Sequence, residues 1–195
     1  MPCMKVTSKR KFDGDWDRVL YCYHKILYWF YGRHDRSRAR RFCRTLEPLL
    51  KKVDRKHESI RGEECWSLVY EVRGDLNKAI FYRRNEIRLI RRLQRFKPRF
   101  EHYGPDDLAD RLDLLAILYR DAGEIQHALK ALRESKRLCA RNRIKFDSPD
   151  LLKEYEGEWR ESRTASASFH RQLHKRGDRK SSTFGVGKVG LATVA

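Results

Sequence analysis

The sequence predicts an all-α fold, a row of about three antiparallel helix pairs closed by a further helix. Three observations predict it. Apolar residues recur at three- and four-residue intervals through the body, and no strand-like alternation appears. Gly32, Gly74 and Gly123, with Pro105 and Pro149, cut that pattern into pieces of helical length. A small signature is written twice, YEVRGDLNKAI at 70–80 and YRDAGEIQHAL at 119–129, with tyrosine, glycine and alanine in matching places.

Residues 1–14 are polar and basic and read as a flexible arm. The first helix spans 15–31, with Asp15 or Asp13 as its N-cap and Gly32 at its end. The second runs over about 35–53, its Ala39, Phe42, Leu46 and Leu50 at helical spacing, with Pro48 as a point of kinking. The third covers 59–72 on an apolar stripe of Trp66, Val69 and Tyr70. Gly74 stops it, and Asp75 caps a fourth helix that continues to Phe96. After a longer connection, Pro105 in a first turn with Asp106 and Asp107 opens the fifth helix. It ends at Gly123. The sixth runs from Glu124 to Arg141, and Ser148 with Pro149 announces the closing helix. Residues 160–195 turn rich in Ser, Gly and basic groups and read as a disordered basic tail, so the folded domain is 15–159.

The glycines Gly32, Gly74 and Gly123 each follow a tyrosine by four residues, at intervals of 42 and 49 residues. Glycine permits a positive φ at the turn, alanine lets two helices approach, and tyrosine fills the space between pairs. One pair cannot bury its apolar face alone, so the pairs must stack. Tyr155 and Trp159 would seal the end of the row.

With Leu115, Ala116, Tyr119, Gly123 and Ala128 in place, the last pair resembles the tetratricopeptide repeat. The preceding pair matches with Trp66, Ser67, Tyr70, Gly74 and Ala79. The first pair keeps only Tyr28 and Gly32, with Ser37 where alanine belongs. The intervals exceed that family's period of about 34 residues. The resemblance implies a right-handed α-solenoid whose first helices line a concave groove for an extended peptide or a helix. The groove residues it implies are Glu64, Leu68 and Glu71 in the third helix, and Asp110, Asp113, Ile117, Arg120 and Asp121 in the fifth. Such a groove would be mainly acidic, and the basic tail would be able to occupy it.

The other side carries the opposite charge. Arg84, Arg88, Arg91, Arg92, Arg95 and Arg99 cluster on one face of the fourth helix, and residues 33–44 hold six arginines against Asp35. Both segments are second helices and should share the convex side. The whole chain has a formal charge of +18, which speaks to partners rather than to fold. Nucleic acid, an acidic protein, an anionic membrane surface and a merely arginine-rich proteome are the readings it leaves open. No aromatic is interleaved with the arginines of the fourth helix for base stacking.

Chemistry is poorly supported. DDLAD at 106–110 resembles a Mg²⁺-diphosphate motif but is the ordinary acidic first turn after a proline. His170 and His174 lie one helical turn apart without a third ligand. FGVGKVG at 184–190 lacks the order of a phosphate loop. Five cysteines, an odd number with no close pair, suggest neither a disulfide framework nor a zinc ribbon, and reduced thiols suit a cytoplasmic protein. No stretch approaches the length of about 18 apolar residues that a membrane span needs. The expectation is therefore a non-catalytic adaptor with no metal or cofactor, binding another protein in the groove. The alternative is a nucleic-acid-associated protein using the arginines and the tail. Helix 15–31 adds Cys22, Ile26, Trp29 and Phe30 to an already wide apolar face. A second copy of the chain is one way to cover it, and repacking of the first pair is another.

Overall fold

A computed structural model describes residues 14–54, 59–96 and 103–181. The described residues form helices and contain no strand, so the fold is all-α. In chain order they are α1 (Asp15–Leu27), which widens into a π turn over Tyr28–Gly32, then α2 (Arg36–Val53), α3 (Ile60–Arg73) and α4 (Leu76–Phe96). α5 (Pro105–Asp121), α6 (Ile125–Asn142) and α7 (Pro149–Ser181) follow. The most extensive contacts pair α1 with α2, α3 with α4 and α5 with α6. Contacts of α2 with α3, α4 with α5 and α6 with α7 join the pairs.

The helix starts follow from side-chain chemistry. Asp35, Ser59 and Asp75 each accept a hydrogen bond from the N–H three residues on, at 2.9, 3.1 and 3.2 Å. Each satisfies a donor that the first turn leaves open. At α1 the expected aspartate cap is replaced by Gly14, and Asp15 is already helical. The reason is that the Asp15 carboxylate reaches across to Lys52 at 2.6 Å instead of folding back on its own helix.

Gly74 and Gly123 have φ of 84° and 79°. The next N–H in each turn donates to Tyr70 O or Tyr119 O, at 3.0 and 2.8 Å. The glycine N–H donates to Glu71 O or Arg120 O, at 2.9 Å in both. This double closure requires a left-handed residue four positions after the first capped carbonyl. The tyrosine–glycine spacing is thus turn geometry. Ala79 and Ala128 are fully buried. Ser67 Oγ donates to Ala79 O at 2.9 Å and Ser135 Oγ to Ala109 O at 3.3 Å, each tying the two helices of its pair together.

The first pair departs from that pattern. Gly32 is not left-handed; His34 takes that conformation with φ of 53°, and Asp35 N donates to Trp29 O at 2.7 Å. Four consecutive large rings, Tyr28 to Tyr31, cannot all point into one interface. Tyr28 is left 49% exposed and Ser37 lies at the surface. The rest of the α1 apolar face is covered within the chain: Val19, Cys22, Tyr23 and Ile26 are buried in a cluster shared with α2 and α3. A second copy is not needed to bury them.

Tyr70 packs against the first and second core clusters, and Tyr119 against the second and third. Trp66, Tyr70 and Tyr82 stack, the two tyrosines with centroids 5.3 Å apart and rings 4° from parallel. Leu152 and Tyr155 are buried in the third cluster, with Trp159 against its edge. Helix α7 then runs on to Ser181, well past the boundary at 159 that composition suggests. Residues 160–181 lack proline and hold a single glycine, Gly177, so nothing in them stops a helix already begun. Residues 1–13, with Asp13, and 182–195, with the glycine-rich FGVGKVG, lie outside the described residues.

Candidate functional site

The expected acidic groove does not form a continuous surface. Glu64 is 4% exposed and Leu68 is 2% exposed, so neither can meet a partner. Glu71 is half-buried and takes a hydrogen bond from Tyr31 Oη at 2.5 Å; burial raises its carboxyl above the usual range. On α5, Asp113 accepts from Ser148 Oγ at 2.5 Å, and Arg120 pairs with Glu154 and Glu158 at 3.5 and 3.1 Å. Those contacts spend this face of α5 on the start of α7. Ile117 is half-buried, while Asp110 and Asp121 remain exposed. Asp110 and Asp113 border a small cleft of about 30 Å³, and burial raises both carboxyls. A basic tail therefore has no acidic groove here to occupy.

The buried acids belong to an internal ionic chain. Glu64 accepts from Tyr23 Oη at 2.7 Å, Arg61 at 2.6 Å and Arg111 at 2.9 Å. Arg111 Nε also donates to Glu86 at 2.6 Å, and Glu86 takes Arg83 at 2.5 Å. Arg83 and Glu86 are buried. Burial raises Glu86 against the pull of its two arginines; burial lowers Arg111, but Glu64 and Glu86 outweigh it and leave it raised. The chain links α1, α3, α4 and α5. Its signal was present in the sequence: Arg83 and Glu86 fall on the Ala79, Ile80, Ile87, Ile90 stripe, where a charge must find a partner.

The arginine ridge of α4 has a different setting from an isolated solvated face. Between α4 and α6 lies a cleft of about 750 Å³, floored by Ile80, Ile87, Leu112 and Leu115 with Tyr119 at one end. Its α4 rim carries Arg84, Arg88 and Arg91, and its α6 rim Lys130, Glu124 and Glu134. Glu134 is matched by Arg91 at 2.5 Å, while Glu124 lies 2.8 Å from His127 Nδ1, a hydrogen bond rather than a charge match. Arg84, Arg88 and Lys130 make no ion pair among the described residues. Phe81, 57% exposed, stands at the cleft. Arg92 and Arg95 are exposed and do not line it, and Arg99 lies outside the described residues. Sequence periodicity places the arginines on one face, but half of the apolar floor, Leu112 and Leu115, comes from α5 and is invisible in α4 alone.

The four described cysteines are buried and free. Burial raises each thiol, Cys43 to about 11. No described helix is long and apolar enough to cross a membrane, and no set of three metal-ligating side chains occurs among the described residues.

No protein-family model matches the chain, and no curated protein matches it significantly. Among solved structures, a similar chain is found in the crystal structure of BtubC (BKLC) from P. vanneervenii, with 18% identity and a TM-score of 0.49. The match covers 68% of this chain and 51% of that one, so the chain spans about half the length of that structure.

Proposed function

We propose that the protein is a non-catalytic, tetratricopeptide-like adaptor whose α4–α6 cleft holds an acidic amphipathic segment of another protein. The observation that carries this reading is the cleft itself: an apolar floor between rims on which the cations without an ion pair, Arg84, Arg88 and Lys130, outnumber the one such acid, Glu124. Apolar anchors on a partner helix recur at the spacing such a floor can take. Negative side chains flanking them would meet the rims, which speeds and orients docking. Kinship with the tetratricopeptide repeat is supported by the paired turns at Gly74 and Gly123 and by the buried Ala79 and Ala128. The non-catalytic part is supported by thiols held protonated and by buried acids tied up with arginine.

Calorimetric titration with a synthetic helical peptide, leucine on one face and glutamate on its flanks, tests the reading. The double variant Arg84→Glu, Arg88→Glu should bind it about tenfold or more weakly. Phe81→Ala should weaken binding without changing its salt dependence. No measurable binding by the unaltered protein, or equal binding by both variants, would reject the cleft as the docking site.

A further inference from the structure

We propose that the α1–α2 corner is a stacking surface for single-stranded nucleic acid, separate from the α4–α6 cleft. The π turn places four aromatic residues, Tyr28, Trp29, Phe30 and Tyr31, beside the arginine-rich start of α2. Tyr28 and Tyr31 are 49% and 45% exposed. The Arg38 guanidinium lies 4.3 Å from the Trp29 ring centre, and that of Arg36 lies 5.6 Å from Phe30. Half-buried Trp29 and Phe30 carry the two guanidinium groups, and exposed Tyr28 and Tyr31 meet those two rings edge to face, 77° and 67° from parallel. The outward tyrosine rings beside arginine are surfaces on which bases stack.

Residues 33–44 hold six arginines against Asp35. That aspartate is already occupied, accepting from the Arg38 backbone and pairing with Arg38 Nε at 3.2 Å. The corner is therefore strongly positive, which repels a second copy and attracts a chain of phosphates. An acidic protein supplies the charge but not a row of flat faces. A duplex supplies phosphates but keeps its base faces stacked on one another. A single strand supplies both. The π turn ends α1 with Trp29 and Phe30 against the core cluster and leaves Tyr28 and Tyr31 facing outward. In sequence the arginines of α4 have no aromatic between them; the corner obtains its rings from the preceding helix.

Fluorescence anisotropy with labelled oligothymidylate, at low and physiological salt, tests the assignment. Duplex DNA, heparin and phosphatidylserine vesicles serve as comparisons. The oligothymidylate should bind, with Tyr28→Ala and Arg38→Ala each weakening it about tenfold. Tyr28→Phe should restore the binding, because it keeps the ring and loses only a hydroxyl. Heparin should respond to Arg38→Ala and not to Tyr28→Ala. Circular dichroism of each variant should match the parent, as expected for an exposed side chain. Absence of oligothymidylate binding, equal preference for duplex, or the same tyrosine dependence on vesicles would overturn the proposal.

Discussion

Arg111 holds two carboxylates that lie on different helices, Glu64 at 2.9 Å and Glu86 at 2.6 Å. A planar guanidinium can bridge two acceptors in this way, and an ammonium on a flexible stem cannot hold the same geometry. Both acids are almost fully buried, so losing the bridge leaves charge stranded in the interior. Arg111→Met should cost about 3–5 kcal/mol, and Arg111→Lys should recover only part of it. Urea unfolding followed by far-ultraviolet dichroism measures both. A loss within experimental scatter would mean that water reaches these groups. The identities of the buried charges were open to a sequence reader at Arg83 and Glu86, which interrupt an apolar stripe. Glu64 was harder to recognise. Burial extends unbroken from Gly62 to Val69 on α3, so no polar side survives there to give a periodic signal.

The helical turns separate glycines by what their backbone does. Gly74 has φ of 84° and nothing within 4 Å of an added Cβ, so Gly74→Ala carries only the conformational penalty. That penalty should be about 1–2 kcal/mol. Gly32 has no positive φ, and its Cβ would meet only Tyr28 Cδ2 at 3.9 Å. Gly32→Ala should therefore leave stability within about 0.5 kcal/mol of the parent. Thermal unfolding of the two variants side by side checks the contrast. If both lost stability equally, the tyrosine–glycine spacing would describe the first pair as well as the later two. The two later signatures were legible because one turn type dictates residue type at a fixed offset. The first pair shares the letters without the geometry, since its ring-rich segment relaxes into a π turn.

Across the whole molecule, α7 has two parts with different roles. Leu152, Tyr155 and Trp159 close the third core cluster, while the described side chains from Arg160 onward are exposed. A chain ended after Trp159 should melt within a few degrees of the full chain, because exposed residues add little to stability. A chain ended before Pro149 uncovers Leu129 and Leu132 and should lose cooperative unfolding, as an uncapped row of repeats does. Calorimetry of the two truncations distinguishes a sealing helix from an independent one.

Local chemistry was enough to place the helices, the Asp75 cap and the two true turns, because each depends on residues within about one helical turn, but it did not give the α1 cap or the far end of α7. It also placed the arginines of α4 on a common face. Which faces look outward was settled elsewhere. Glu64 turned inward because Arg111 lies on the next pair to receive it. The groove side of α5 was partly taken up because Ser148, Glu154 and Glu158 bind Asp113 and Arg120 there. The cleft beside α4 acquired Leu112 and Leu115, half of its apolar floor, from α5. Each of these outcomes rests on side chains from different helices meeting at distances of a few ångströms, and a linear pattern carries no record of such meetings.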